Sequence, residues 1–170
     1  ARPGETVRFS GRQFIGKVIG IRGTMALPIS LEGADSTAVL VPDPTYTAAV
    51  FRAEDCEYFQ LGRLKVDGEG RCDRAIQVFT SNNILVYDVE TRGVSEDHIH
   101  VAGSNNVHVL RVYWYGQGGE PMGGGKAGHA VYFTRIDGGG GCSVLLAEDI
   151  DSEHIAGAAY QANGDGAWLR

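Results

Sequence analysis

Apolar and polar residues alternate along this chain in short runs, and Gly, Pro, Asn and Asp separate one run from the next. Runs of this kind, rich in β-branched and aromatic residues, predict strands. They place strands near Thr6–Ser10, Gln13–Ile21, Thr24–Leu31, Thr37–Val41, Ala75–Phe79, Ile84–Val89, His98–Val101, Val107–Tyr115, His129–Ile136 and Cys142–Ala147. Two segments carry helical signals instead. Asp43 offers an N-cap with Pro44 at the first helical position, and Tyr46, Ala49, Val50 and Ala53 recur at helical spacing before Gly62. Asp151 caps a second segment that reaches Gln161, although Gly157 weakens it and a return strand over Glu153 to Tyr160 fits the same residues. The expected fold class is mainly β: β-sandwich-like, with mixed or antiparallel sheets and one or two short helices. No internal repeat or linker divides residues 1–170, so a single domain is expected.

Charge and composition narrow the function classes. A net charge of −6 with no block of like charges lacks the footprint of a nucleic-acid binder. No apolar run has the length of a membrane span. The three cysteines, Cys56, Cys72 and Cys142, form no CxxC, so a zinc ribbon or a thioredoxin-type motif has no support. The chain opens at Ala1 without an initiator Met, as a processed form or a fragment does, which leaves localisation open.

Three groups of residues carry candidate chemistry. A turn through Gly103 to Asn106 would pair the flanking strands so that His98, His100 and His108 share a face, the minimum for a zinc site with an open position. The alternative is a solvent-facing hairpin, and no metal is assigned. The glycine runs Gly116–Gly119 and Gly123–Gly125 fit no phosphate-binding pattern and read as loops. His129 begins a strand as the histidine of papain-like enzymes does, but neither Cys56 nor Cys72 is placed as its upstream nucleophile.

The third group is Cys142 with His154. Four glycines, Gly138–Gly141, precede Cys142, free its neighbouring N–H groups for an oxyanion and put His154 a short hairpin away. A buried, inert strand cysteine is the competing reading.

Tyr132-Phe133-Thr134, the glycine loop into Gly141-Cys142-Ser143-Val144, and His154 together resemble the glutamine deamidase toxins: the cytotoxic necrotizing factor group and the Burkholderia lethal factor. The resemblance covers about the last quarter of the chain, and Gly139-Gly140-Gly141 stands where the family has Leu-Ser-Gly. It implies a β-sandwich hydrolase with Cys142 as thiol nucleophile, His154 as general acid and base, and Thr134 in support. Gly141 and Cys142 N–H groups would hold the oxyanion, with no cofactor. The implied partner is a protein substrate, a small GTPase or a translation factor, reached by secretion or delivery into a host cell. The rival expectation is a non-enzymatic β-sandwich, a virion or cell-surface structural module or a carbohydrate-binding domain. It would make its contacts through Tyr113, Trp114, Tyr115 or Trp168.

Overall fold

The computed structural model describes residues 1–115, 129–134, 143–152, 160–162 and 167–169. The chain enters through β1 (Thr6–Phe9), β2 (Arg12–Gln13), β3 (Gly16–Ile19), β4 (Ile29–Gly33) and β5 (Val39–Leu40). It continues through β6 (Ala49–Glu54), the long β7 (Glu57–Cys72), β8 (Arg74–Phe79), β9 (Asn82–Val94), β10 (Ile99–Ala102) and β11 (Asn105–Tyr115). The remaining strands are β12 (Val131–Thr134), β13 (Ser143–Ser152), β14 (Tyr160–Ala162) and β15 (Ala167–Leu169).

Every pairing among these strands is parallel. The first sheet runs β1-β4-β7-β9-β11-β13-β15, with β2 and β5 joined to it at β7, and the second runs β14-β12-β10-β8-β6-β3. From β5 onward consecutive strands alternate between the two sheets, so the chain winds as a parallel β-solenoid. Between Phe59, Ile84 and Val107, which stack on one another, one coil takes roughly 23 to 25 residues.

A single coil cannot bury its own apolar residues; the stack can. On the second sheet Phe51, Ile76, Ile99 and Val131 form one inward column, and Ala53, Val78, Val101 and Phe133 form the next. The first sheet answers with Ile29, Phe59, Ile84 and Val107, and with Leu31, Leu61, Val86 and Val109. These columns meet in one buried core.

The bends repeat as faithfully as the strands. Asp55, Thr80 and Gly103 all take positive φ at the corner leaving the second sheet. Tyr58, Asn83 and Asn106 do so just inside the first sheet, and Arg63, Asp88 and Arg111 do so farther along β7, β9 and β11. Between the first two bends lies a buried column of small side chains, Cys56, Ser81 and Ser104. Ser81 Oγ accepts the Cys56 N–H at 3.0 Å and donates to the Phe79 carbonyl at 2.8 Å. Ser104 Oγ repeats the arrangement one coil on, with the Ser81 N–H and the Ala102 carbonyl both at 3.0 Å. Gly62 shows how tightly coils approach: a Cβ there would lie 2.5 Å from the Tyr87 ring, which crosses it to donate to Glu32 at 2.7 Å.

The expected β-sandwich with mixed or antiparallel sheets is therefore overturned, as are its helices. Residue alternation is the same for parallel and antiparallel strands, so the pattern did not carry the pairing. No helix occurs among the described residues. Asp43 accepts the Thr45 N–H at 2.7 Å and its hydroxyl at 2.6 Å, which closes a turn and starts no helix. The segment beyond it splits into β6 and β7, where Phe51 and Ala53 point inward and Arg52 and Glu54 point out. Residues 151–152 and 160–161 of the second helical candidate are strand, and the stretch between lies outside the described residues.

Ser81→Ala removes the acceptor of a buried N–H. The expected loss is about 1–3 kcal/mol, seen as a lower urea midpoint with an unchanged slope.

Candidate functional site

The outer face of the second sheet is unusually polar for its burial. One outward column is Lys17, Arg52, Gln77, His100 and Tyr132, and the next is Ile19, Glu54, Phe79, Ala102 and Thr134. At the corner before these strands, Arg74, Asp97 and His129 follow one another from coil to coil.

Two linked networks cover this face. In the first, Arg52 Nη1 donates to Gln77 Oε1 at 3.1 Å, and Gln77 Nε2 lies 3.4 Å from His100 Nδ1. His100 Nε2 lies 2.9 Å from Thr134 Oγ1, so both its ring nitrogens are engaged. Arg52 also pairs with Glu54 at 3.0 Å and lies over the Phe79 ring at 4.3 Å, while Lys17 pairs with the same Glu54. In the second network, Asp97 Oδ1 accepts His129 Nδ1 at 2.8 Å, and its Oδ2 sits 3.4 Å from Arg74 Nε. Arg74 Nη2 donates to Glu96 at 2.6 Å. The Tyr132 ring joins the two networks, stacked on His100 at 5.3 Å and on His129 at 4.8 Å between centroids.

The two histidines therefore differ in what they offer. Burial first, and then the nearby Arg74 charge, push the His100 pKa down to about 4, so it is neutral at ordinary pH and serves the network. His129 donates a hydrogen bond from Nδ1 to Asp97, which orients the ring; in the neutral imidazole this leaves Nε2 as the acceptor. That Nε2 has no partner among the described residues.

The three histidines offered as zinc ligands are separated by this fold. His98 is buried at a corner with its Nδ1 2.8 Å from Thr91 Oγ1, His100 lies on the outer face of the second sheet, and His108 sits on the first, 3.2 Å from Asn106. β10 and β11 belong to different sheets, so the hairpin that would have gathered these three imidazoles does not exist. No group of three metal-ligating side chains occurs among the described residues. Cys56 and Cys72 are buried and burial pushes both thiols up. Thr134 is the His100 partner, while Gly141, Cys142 and His154 lie outside the described residues. Arg52, Arg74, Gln77 and Asp97 were not singled out as site residues from sequence, and Tyr132 entered only as part of the toxin-like run. Their common signal is position in the coil, which becomes visible only once the register is known.

No protein-family model and no curated protein sequence matches the chain. Solved structures do. An alginate lyase from Paenibacillus sp. str. FPU-7 is similar over 100% of this chain and 69% of its own, with TM-score 0.59 and 16% identity. A "putative glycosyl hydrolase" from Parabacteroides merdae ATCC 43184 is similar over 98% of this chain and 80% of its own, with TM-score 0.62 and 15% identity. ORF18 of Geobacillus virus E2 is similar over 92% of this chain and 32% of its own, with TM-score 0.58 and 15% identity. At these identities the likeness shows the fold, a parallel β-solenoid.

That finding overturns the resemblance to the glutamine deamidase toxins and the thiol hydrolase it implied. The resemblance needed β12 and β13 to be neighbouring strands of a sandwich. Instead β12 lies in the second sheet and β13 in the first, each pairing parallel with other coils. No helix among the described residues is long and apolar enough to cross a membrane.

Burial likewise holds His98 neutral, with its pKa pushed down to about 4 from 6.5. The unfolded chain takes up protons near pH 6.5 that the fold refuses until about pH 4. The stability these two residues leave intact above pH 6.5 is therefore lost as pH falls from there towards 4. The expected outcome is a melting temperature that drops across this window, with a shallower drop in His100→Gln.

Proposed function

We propose that this chain is a carbohydrate-binding β-solenoid, with a saccharide chain lying along the coil stack on the outer face of the second sheet. The observation that carries this reading is the polar strip itself: Arg52, Gln77, His100, Tyr132 and Thr134, beside Arg74, Asp97 and His129, are cross-linked into one surface. Coils repeat every ~4.8 Å, so groups of one column meet a linear polymer at a regular interval close to the length of a sugar unit. The side chains are already ordered by one another, which lowers the entropy lost on binding. His129 Nε2 supplies an acceptor for a sugar hydroxyl, and the outer N–H groups of Arg52 and Arg74 supply donors.

The named neighbours support the same class, since one is an alginate lyase and another a putative glycosyl hydrolase. The acidic balance of the chain argues against nucleic acid as the polymer. A role in a virion is a second reading, favoured by the likeness to ORF18 of Geobacillus virus E2, of which the match covers 32%. A saccharide-binding strip serves that role as well.

The test is retention of the protein by a panel of neutral and uronate polysaccharides in affinity electrophoresis, followed by calorimetry on the one that retains it. Arg52→Ala and His129→Ala are each expected to bind roughly tenfold more weakly or worse, with the melting curve retained. Retention by none of the panel, or parental affinity in both variants, rejects the reading.

A further inference from the structure

A cavity lies on the other sheet and belongs to none of the networks above. Its volume is about 280 Å³, and it opens on the outer face of the first sheet where Gln60, Leu85 and His108 stack outward. The turn carrying Met25 and Pro28 forms its rim, and Tyr58, Asn83 and Asn106 line its corner.

Three features define what it can hold. First, none of the lining side chains is Asp, Glu, Lys or Arg, in a chain where these make up 21% of residues. A charged ligand would meet no carboxylate, ammonium or guanidinium partner there. Second, the polar groups are amides arranged in series. His108 Nε2 lies 3.2 Å from Asn106 Oδ1, and Asn106 Nδ2 donates to Asn83 Oδ1 at 2.6 Å. Ser30 donates to Gln60 Oε1 at 3.2 Å. These bonds fix the amides so that the Asn83 and Gln60 amino groups remain as donors, with the Tyr58 hydroxyl beside them. Third, the rest of the wall is apolar, and Met25 at the rim is 81% exposed.

The rim is built and not draped. Thr24 and Leu27 exchange backbone hydrogen bonds at 3.1 Å in both directions, and the Gly23 N–H reaches the Glu57 carbonyl at 2.8 Å. A Cβ on Gly23 would come within 2.6 Å of the Tyr58 carbonyl, so the turn is seated directly on the next coil.

We infer that this cavity is a binding site for one uncharged sugar residue, with hydroxyls on the Asn83, Gln60 and Tyr58 groups and the ring's apolar face against Met25 and Leu85. Its size is just below the range of drug-sized pockets, which suits a single ring. The site stands independently of the polar strip, because it lies on the opposite sheet and shares no residue with it.

The test is a ¹H–¹⁵N NMR titration with methyl glycosides of glucose, galactose and mannose, with glucuronate and indole as comparison probes. The expected result is saturable shifts of the Asn83 and Gln60 side-chain amides with at least one neutral glycoside, and none with glucuronate. Met25→Glu changes an exposed rim residue and is expected to weaken that binding roughly tenfold while leaving polysaccharide retention by the strip unchanged. The absence of shifts with all three glycosides, equal binding of glucuronate, tighter binding of indole, or parental affinity in Met25→Glu would each overturn the inference.

Discussion

The structure depends on stacking like on like across coils. Phe51, Ile76, Ile99 and Val131 are each buried by the residue in the equivalent place one coil away, and no coil completes its own core. Burial of apolar area supplies the driving force, and the parallel ladders between coils satisfy the backbone that this burial removes from water. Once the columns are fixed, the bends must coincide too. That is why Asp55, Thr80 and Gly103 share one left-handed geometry, and why Cys56, Ser81 and Ser104 share a column in which two serines close the corner hydrogen bonds.

The same register organises the outside. A residue that faces solvent in one coil has an outward neighbour directly above and below it, so side chains far apart in sequence become a contiguous strip. Arg52, Gln77 and His100 come from three different strands, yet hydrogen bonds join them in a line. Charges are matched within the strip. Lys17 and Arg52 meet Glu54, and Arg74 meets Glu96 and Asp97. A surface with its charges internally balanced recognises a partner mainly through directed hydrogen bonds and shape, as a saccharide requires. The first sheet differs: there a cavity lined by no Asp, Glu, Lys or Arg sits beneath a fixed turn.

What the sequence made legible was local. The alternation around Ile84–Val89 and Val107–Tyr115 marks strands that the fold contains, and so does the run at Ala75–Phe79. Pairing was hidden because alternation does not distinguish a hairpin from a coil, and the step from Val107 to Leu145 is much longer than the step from Ile84 to Val107. The bends were hidden because Tyr58, Arg63 and Thr80 hold positive φ without the glycine that usually announces it. The segment around Val50 looked helical because its inward and corner positions are adjacent and all apolar. Of the site, His100, His129 and Thr134 drew attention for other chemistry: a metal face, a papain-like strand and support for Cys142. Asp97, the group that orients His129, lies 32 residues away in sequence and comes beside it only through the coil.

The strip presents its groups along the coil axis, one outward residue of each column after another. Its most direct test is the affinity of an oligosaccharide series of increasing length, cut from the polysaccharide that retains the protein. Affinity should climb with each added sugar until the oligomer spans the stacked residues from Lys17 to Tyr132, and then level off. A disaccharide that binds as tightly as the longest oligomer would place recognition in one local pocket and contradict the account.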